Sequence, residues 1–520
     1  MALPAVDAGL YFPTLPVASC PEWERRLVYV LTGTFFLGLG VILAAPIFSG
    51  SSWLIFVQDD FLYYLKVAQN IAQGRGSTFN GIVPTNGYQP LWLLILIAFS
   101  WVTQNQHFVL AFLAMSNFVA AVVTFLLARR LLRGTGIRPL LIFSMAAWIT
   151  LYAVTLFFYG MEVTLTVPII LGVINLLLNV TWLERSSAHT LLLGLLLSAM
   201  VLSRLDTLIF GGLVLAGILF HPKLRKLLRI KLVVGAMLGL VPLLLYFLFN
   251  HVVFRTWLPV SGMAKELRLD HGPSIEPWRV FFHPLAALLG SILLLAFVLL
   301  PVIKRELSPM AQVLFPAVLA FPFVYYFILS WVSDWTLWGW YMYPIRSAVC
   351  ISFLIFCLWR PLSRLLQTSV VLCFLLFTVF TCLGLLRWTR QQTDIYAATL
   401  DIQKFARTHP GVYAMGDRAG RVGYLLPDPV IQTEGLMMDR EYLEYVRRQR
   451  SLRETLAHYK VRYYIATAYQ PFTGCFMANE PAKAGPNSAH MQSEFCEQPQ
   501  ASYVHDGVET LIFDVGQSRR

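Results

Sequence analysis

Residues 58–92 read QDDFLYYLKVAQNIAQGRGSTFNGIVPTNGYQPLW, a polar, aromatic, glycine-rich stretch between two apolar segments. It opens on adjacent carboxylates, Asp59 and Asp60, and continues as a helix-like run from Phe61 to Ala72. Gly74, Gly76, Asn80-Gly81 and Asn86-Gly87 follow. They mark tight turns, because glycine and asparagine tolerate positive φ. A mere connector has no need of paired carboxylates, paired tyrosines and so many turn signals. The stretch reads as a loop that carries chemistry at a membrane surface.

The flanking sequence supplies the membrane. Of 520 residues, 57% are hydrophobic and 13% charged, with mean hydropathy +0.63, where soluble proteins carry about 25% charged residues. Apolar runs of spanning length fall near 27–48, 108–128, 138–158, 161–180, 190–204, 207–220, 231–251, 280–301, 309–330, 341–359 and 367–387. The run Leu27 to Phe48 follows Arg25-Arg26 and reads as a retained first helix. Leu91 to Val102 is too short to span and is assigned to a helix at the outer interface. With that run kept out of the count, sixteen basic residues fall inside against five acidic, as the positive-inside rule requires. The expected fold is therefore an all-α polytopic bundle of eleven transmembrane helices in the cytoplasmic membrane. Its N-terminus is inside, its first outer loop covers 49–107, and its C-terminus is outside.

The membrane domain covers 1–387, and composition changes after Arg387. Residues 388–520 hold 15 basic and 15 acidic side chains, so the net charge of +12 resides in the membrane half as a topology signal. No basic patch with interleaved aromatics suggests nucleic acid. The tail reads as a small extracytoplasmic α/β domain. Strands are expected at Gly411 to Met415, Arg462 to Thr467 and Thr510 to Val515. A helix is expected over Glu441 to His458, and loop over Gln470 to Pro499. Cys475 and Cys496 share this outward domain and form a candidate disulfide; Cys350, Cys357, Cys373 and Cys382 read as small apolar residues.

Chemistry is sought at the outer ends of the helices. A carboxylate fixed there can take a proton from an attacking hydroxyl, and a phosphate leaving group needs no second carboxylate as acid. Asp59 is the expected base, and Asp60 the expected helix cap or metal ligand. A divalent ion on the pair is the one metal arrangement the residues suggest, and two ligands do not define a site. Tyr63, Tyr64 and Lys66 follow on the same helix, where rings can stack on sugars or merely anchor the helix at the interface. Asn86, Gln89 and Trp92 can bond a phosphate or sugar, or form a turn and an aromatic belt. Arg204, Arg255, Lys265 and Arg346 are the outer cations available to a lipid phosphate, with pairing to Glu162, Asp206 or Asp334 as the alternative. Glu162, Asp206 and Tyr341 complete the candidate binding residues.

At these residues the chain resembles the GT-C class of integral-membrane glycosyltransferases, which use polyprenyl-phosphate-linked sugars. It is most similar to a bacterial mannosyl- and arabinofuranosyltransferase-like branch. That branch has an Asp-Asp-x-Tyr-Tyr start, an N-I-A-x-G-x-G turn and T-N-G-[YF]-H-P-L-W. Here Asp59 to Tyr64, Asn70 to Gly76 and Thr85 to Trp92 carry the pattern. Gly160-Met161-Glu162, Ser203-Arg204-Leu205-Asp206, Leu258-Pro259 with Ser261 and Lys265, Met415-Gly416-Asp417 and Gly423-Tyr424 resemble further motifs in the same order. Two positions depart: Gln89 replaces the usual histidine, and Trp340 stands where an arginine is usual. The resemblance implies a helical bundle and a catalytic aspartate at Asp59. It also implies inverting transfer of a hexose or pentose from a polyprenyl-phosphate donor to a lipid, glycan or protein acceptor. A transporter or flippase of lipid-linked envelope precursors is the rival reading; the sequence shows neither the repeat nor the mid-helix charge that such proteins tend to carry.

Overall fold

The computed structural model describes residues 21–48, 52–132, 138–157, 160–179, 187–227, 230–304, 307–359, 368–369, 372 and 391–516. Ten of the eleven expected apolar runs coincide with helices, from Glu22–Phe48 to Tyr343–Trp359. The run 367–387 lies almost wholly outside the described residues, as does the expected boundary at 387/388.

The chain is a largely helical polytopic membrane bundle with a small mixed-sheet C-terminal domain. Among the described residues, five helices are long and apolar enough to cross a membrane, and six if one bent pair is a single span. Several of the other expected spans form apolar helices of 10–17 residues, so the count of eleven stands as an expectation. The bent pair joins Ile230–Gly239 to Val241–Phe254 at 42°. Pro242 starts the second half, a recognised cause of a kink. The first half packs tightly on helix Ser187–Ser203, because Gly194 and Gly239 let the backbones meet; a Cβ on Gly239 would lie 2.5 Å from the Gly194 carbonyl carbon. Ser198 donates to the Gly239 carbonyl at the break, 2.8 Å.

Two helices of the first loop position the site. The helix Asp59–Ala72 begins with acidic residues beside its positive N-terminal end. It stops in a Schellman turn, with Gly74 at φ 74° and Arg75 N–H donating to the Asn70 carbonyl at 2.8 Å. The helix Pro90–Val102 has proline at its first position and 13 residues. At 1.5 Å per residue that is roughly 20 Å, short of a bilayer core of about 30 Å.

The C-terminal domain is built on a five-stranded sheet of order β2-β1-β3-β8-β7. The strands are β1 (Tyr413–Met415), β2 (Val430–Gln432), β3 (Tyr463–Ala466), β7 (Ala501–His505) and β8 (Val508–Asp514). β1 is parallel to β2 and β3, while β8 is antiparallel to β3 and β7. Strands β4 (Tyr469–Phe472), β5 (Cys475–Glu480) and β6 (Met491–Phe495) form a second, antiparallel sheet. The expectation of loop over 470–499 is thus overturned: β5 and β6 pair from Phe476/Phe495 to Glu480/Met491, and Cys475 is disulfide-bonded to Cys496. The single helix expected over 441–458 is two, Arg440–Arg447 and Leu452–His458, parted where Gln449 takes φ 48°.

One apolar core joins the loop to the tail. Phe61, Leu62, Leu65 and Phe79 of the loop are buried in the same cluster as Tyr413, Met415, Val422 and Ile465 of the tail. Each such side chain contributes about 1.5–3 kcal/mol on burial, so the two segments stabilise one another.

Candidate active site

Where the first loop meets the tail, Asp59 faces the helix Ala419–Leu425. Its Oδ2 accepts from the Gly420 amide at 2.7 Å and its Oδ1 from the Arg421 amide at 2.8 Å. Glycine is required at 420, since a Cβ there would lie 2.3 Å from the Asp59 carbonyl oxygen. Arg421, 1% exposed, returns the tie. Its guanidinium donates to the Val57 and Leu54 carbonyls, 2.9 and 3.3 Å, and to Gln392 Oε1. Burial raises the Asp59 carboxyl above its ordinary range, while Arg421 and the amide bonds pull it back.

Asp60, one residue on, faces open space. It lines a cavity of about 740 Å³ with Asp59, Tyr63, Lys265, Trp335, Trp338 and Tyr341. Burial pushes its carboxyl up to about 7; the Lys265 charge draws it down, and Asp59, Glu162 and Asp417 raise it further. Asp60 is not the helix cap, because Gln58 holds that position and both aspartates lie in the first turn. Lys265 Nζ donates to Tyr341 Oη at 2.6 Å and lies 5.8 Å from the centre of the Trp335 ring. The tail supplies the facing wall through Asp417, Arg418, Glu434 and Lys483. Lys483 pairs with Asp417 at 3.2 Å and stands over Trp338.

Two outer loops are strapped to the tail around this cavity. Leu269 N–H donates to the Asn487 carbonyl and Ala489 N–H to the Leu267 carbonyl, 2.8 and 2.7 Å. Asp334 accepts from Ser274 Oγ and from the Asn487 amide, and its carbonyl accepts from the Gly485 amide. Asp334 is therefore a structural tie.

A small adjoining cavity is lined by Glu162 and Arg204 beside Asp60, Tyr64, Gln89 and Lys265, and Asp206 pairs with Arg204 behind them. Arg204 donates to Glu162 Oε1 at 2.6 Å and to Asp206 Oδ2 at 2.7 Å. Tyr343 and Tyr325 donate to Asp206, 2.7 and 3.1 Å, and Tyr64 donates to Glu162, 3.4 Å. Gln89 Oε1 accepts from the Leu205 amide at 3.2 Å, while Tyr64 Oη accepts from the Gln89 amide. Two carboxylates thus satisfy Arg204, as in the pairing alternative. The cations that face the main cavity are Lys265, Arg418, Arg421 and Lys483, and Arg421 is spent on the Asp59 tie.

Other candidates lie elsewhere. Asn86 is fully used as a brace: its amide donates to Asn250, Thr256 and the Leu258 carbonyl, and its Oδ1 accepts from the Val260 amide at 3.0 Å. Trp92 is buried, and its Nε1 donates to the Gly160 carbonyl at 2.8 Å. Lys66 is half-buried and Arg255 exposed, and Arg346 is buried on the helix Tyr343–Trp359; none of the three lines either cavity. Sequence reasoning left Arg418, Arg421, Glu434 and Lys483 unassigned. The Gly416-Asp417 motif was the nearest signal to them.

Among the described residues no three of His, Cys, Asp and Glu converge as metal ligands. Each Asp59 oxygen accepts one backbone amide and keeps a second lone pair, so an ion on the Asp59–Asp60 pair would need further donors beyond these two residues.

No family model matches the chain, and no curated protein matches it. Among solved structures, the chain is similar in outline to the crystal structure of the Archaeoglobus fulgidus oligosaccharyltransferase tethered with an acceptor peptide containing the NVT sequon via a disulfide bond. The identity is 12%, coverage is 83% of this chain and 69% of that chain, and the TM-score is 0.44. It is also similar to the same enzyme in complex with Zn and sulfate, at 12% identity, 83% and 68% coverage, and TM-score 0.43.

Proposed function

We propose that the chain is an inverting glycosyltransferase that uses a polyprenyl-phosphate sugar at the outer membrane face, with Asp60 as its base. One observation carries the reading: a carboxyl that burial pushes up to about 7 opens into a 740 Å³ cavity that Lys265 also lines. A base with its pKa near the operating pH is the efficient choice.

Asp60 takes the proton of the acceptor hydroxyl as that oxygen bonds to the anomeric carbon. The bond from that carbon to the donor phosphate oxygen breaks, and its electron pair leaves with the phosphate. Lys265, held by Tyr341, neutralises the departing phosphate, with Arg418 and Lys483 on the far wall. Trp335, Trp338 and Tyr63 offer faces on which a sugar ring can rest. Asp59 is a positioning residue that seats the tail over the cavity. Lipid, glycan and protein hydroxyls all satisfy the acceptor chemistry. The excess of basic residues expected at the opposite helix ends supports an extracytoplasmic position for this face.

The flippase reading draws on the one bent helix pair. Its break packs against Gly194 and Ser198, and among the described residues none from 230–254 lines the 740 Å³ cavity, so transfer is preferred. Radiolabelled sugar transfer in proteoliposomes tests it. Wild type transfers label and Asp60→Asn does not; lipid movement without bond cleavage would refute the assignment.

A further inference from the structure

The tail turn that follows β2 forms part of the cavity wall and is not used by the mechanism above. Gln432 braces this turn: its Oε1 accepts from the Leu436 amide at 2.8 Å, and its Nε2 donates to Glu434 Oε2 at 3.2 Å. Gly435 takes φ 80°, which lets the chain reverse there. The turn is also seated on the first loop. A Cβ at Gly87 would lie 1.8 Å from the Leu436 carbonyl oxygen, so only glycine lets the two backbones touch.

What the turn presents is Glu434. It is 5% exposed, it lines the main cavity, and its Oε1 is buried with no hydrogen-bond partner. A buried carboxyl oxygen without a partner has given up its hydration for nothing in return, and a ligand that completes it is one reason for a native structure to keep it. Leu436 of the same turn lines both cavities beside Lys265 and Tyr341. Glu434 therefore stands on the wall that carries Arg418 and Lys483, the far-wall cations proposed above for the donor phosphate, and Lys483 is near enough to act on its carboxyl.

We infer that Glu434 is a specificity-determining residue, whose free oxygen hydrogen-bonds a hydroxyl of the sugar carried on the donor phosphate. This rests on the donor reading above. Burial holds the Glu434 carboxyl well above its ordinary range; Asp417, Glu480 and Asp60 push it further, and Lys483 draws it back. That environment biases the carboxyl toward its protonated form, which can donate as well as accept and so suits an uncharged hydroxyl.

The test is a tryptophan-fluorescence titration of the full chain in nanodiscs, since Trp335, Trp338 and Trp340 line the cavity. The probes are decaprenyl-phosphoryl mannose, decaprenyl-phosphoryl arabinose and sugar-free decaprenyl phosphate. Wild type is expected to bind one sugar-bearing probe at least tenfold more tightly than decaprenyl phosphate. Glu434→Met is expected to lose that tenfold preference with its affinity for decaprenyl phosphate unchanged. Glu434→Gln, which keeps shape and both hydrogen-bonding roles, retains the preference within about threefold and serves as the folding control. If Glu434→Met misfolds, Glu434→Asp replaces it: the shortened acid no longer reaches the sugar, and the same loss is expected. An undiminished preference in the Met or Asp variant overturns the inference while leaving the donor reading standing. A wild type that does not distinguish sugar-bearing from sugar-free probes overturns both.

Discussion

Replacing Asp60 by asparagine separates the chemistry from the fold more sharply than any other change. The substitution keeps the shape of a side chain that carries no structural hydrogen bond to the tail, and removes only the ability to take a proton. General bases contribute typically 10²–10⁴-fold, so transfer should fall by about that factor. The carboxyl is lifted by burial from 3.8 to about 7, which ties activity to pH. Below 7 the base is protonated, and the wild-type rate should fall roughly tenfold per unit. Stability has the opposite sign. A carboxyl raised on folding favours the protonated form, so its contribution is intact below the unfolded value and is lost as pH rises through 7. About three units correspond to about 4 kcal/mol at the limit, reduced by whatever water the cavity admits. Asp60→Asn removes that cost, so at pH 8 its melting temperature should equal or exceed that of wild type while its activity is lost. Rates from pH 5.5 to 8.5 and melting curves on the same reconstituted samples provide the assay. A rate in Asp60→Asn above one-tenth of wild type, or a wild-type profile flat across pH 7, would refute the reasoning.

Asp59 should behave differently. Asp59→Asn weakens two amide bonds and Gly420→Ala drives a methyl into the Asp59 carbonyl, so each should destabilise the tail by about 1–3 kcal/mol. Limited proteolysis of the tail should accelerate while the acid limb near pH 7 stays in place; a lost limb in Asp59→Asn would make Asp59 the base. Lys265→Met should lower the turnover rate by about 10²–10³-fold through the unneutralised leaving phosphate, seen in steady-state kinetics, and unchanged turnover would remove Lys265 from the mechanism. Reducing Cys475–Cys496, or changing both to serine, should cost about 3 kcal/mol in tail stability by denaturant titration and leave transfer intact.

The apolar runs were readable because bilayer-facing helices need little beyond length and hydrophobicity; even the short helix after Pro90 emerged where its 13 residues predicted. The chemistry of residues 58–92 was readable in kind, since paired carboxylates and turn glycines are local signals. The division of labour within the pair was not. Asp59 is claimed by amides 361 and 362 residues away, and no local spacing announces that Gly420 must be bare. Glu434 was invisible for the same reason: its wall exists only once the turn settles on Gly87. Strands β4 to β6 were hidden by exposed positions and, in Tyr469–Phe472, by a proline, so that the segment reads as loop until β5 pairs with it. The helix over 441–458 carried a consistent charge pattern across a break that a single residue at φ 48° makes.

A single displacement assisted by Asp60 leaves a stereochemical record. Purified wild type in proteoliposomes, given an accepted polyprenyl-phosphate sugar of defined anomeric configuration, should yield product of inverted configuration by NMR, and Asp60→Asn should yield none. Retained configuration, or an equal yield from Asp60→Asn, would contradict the account.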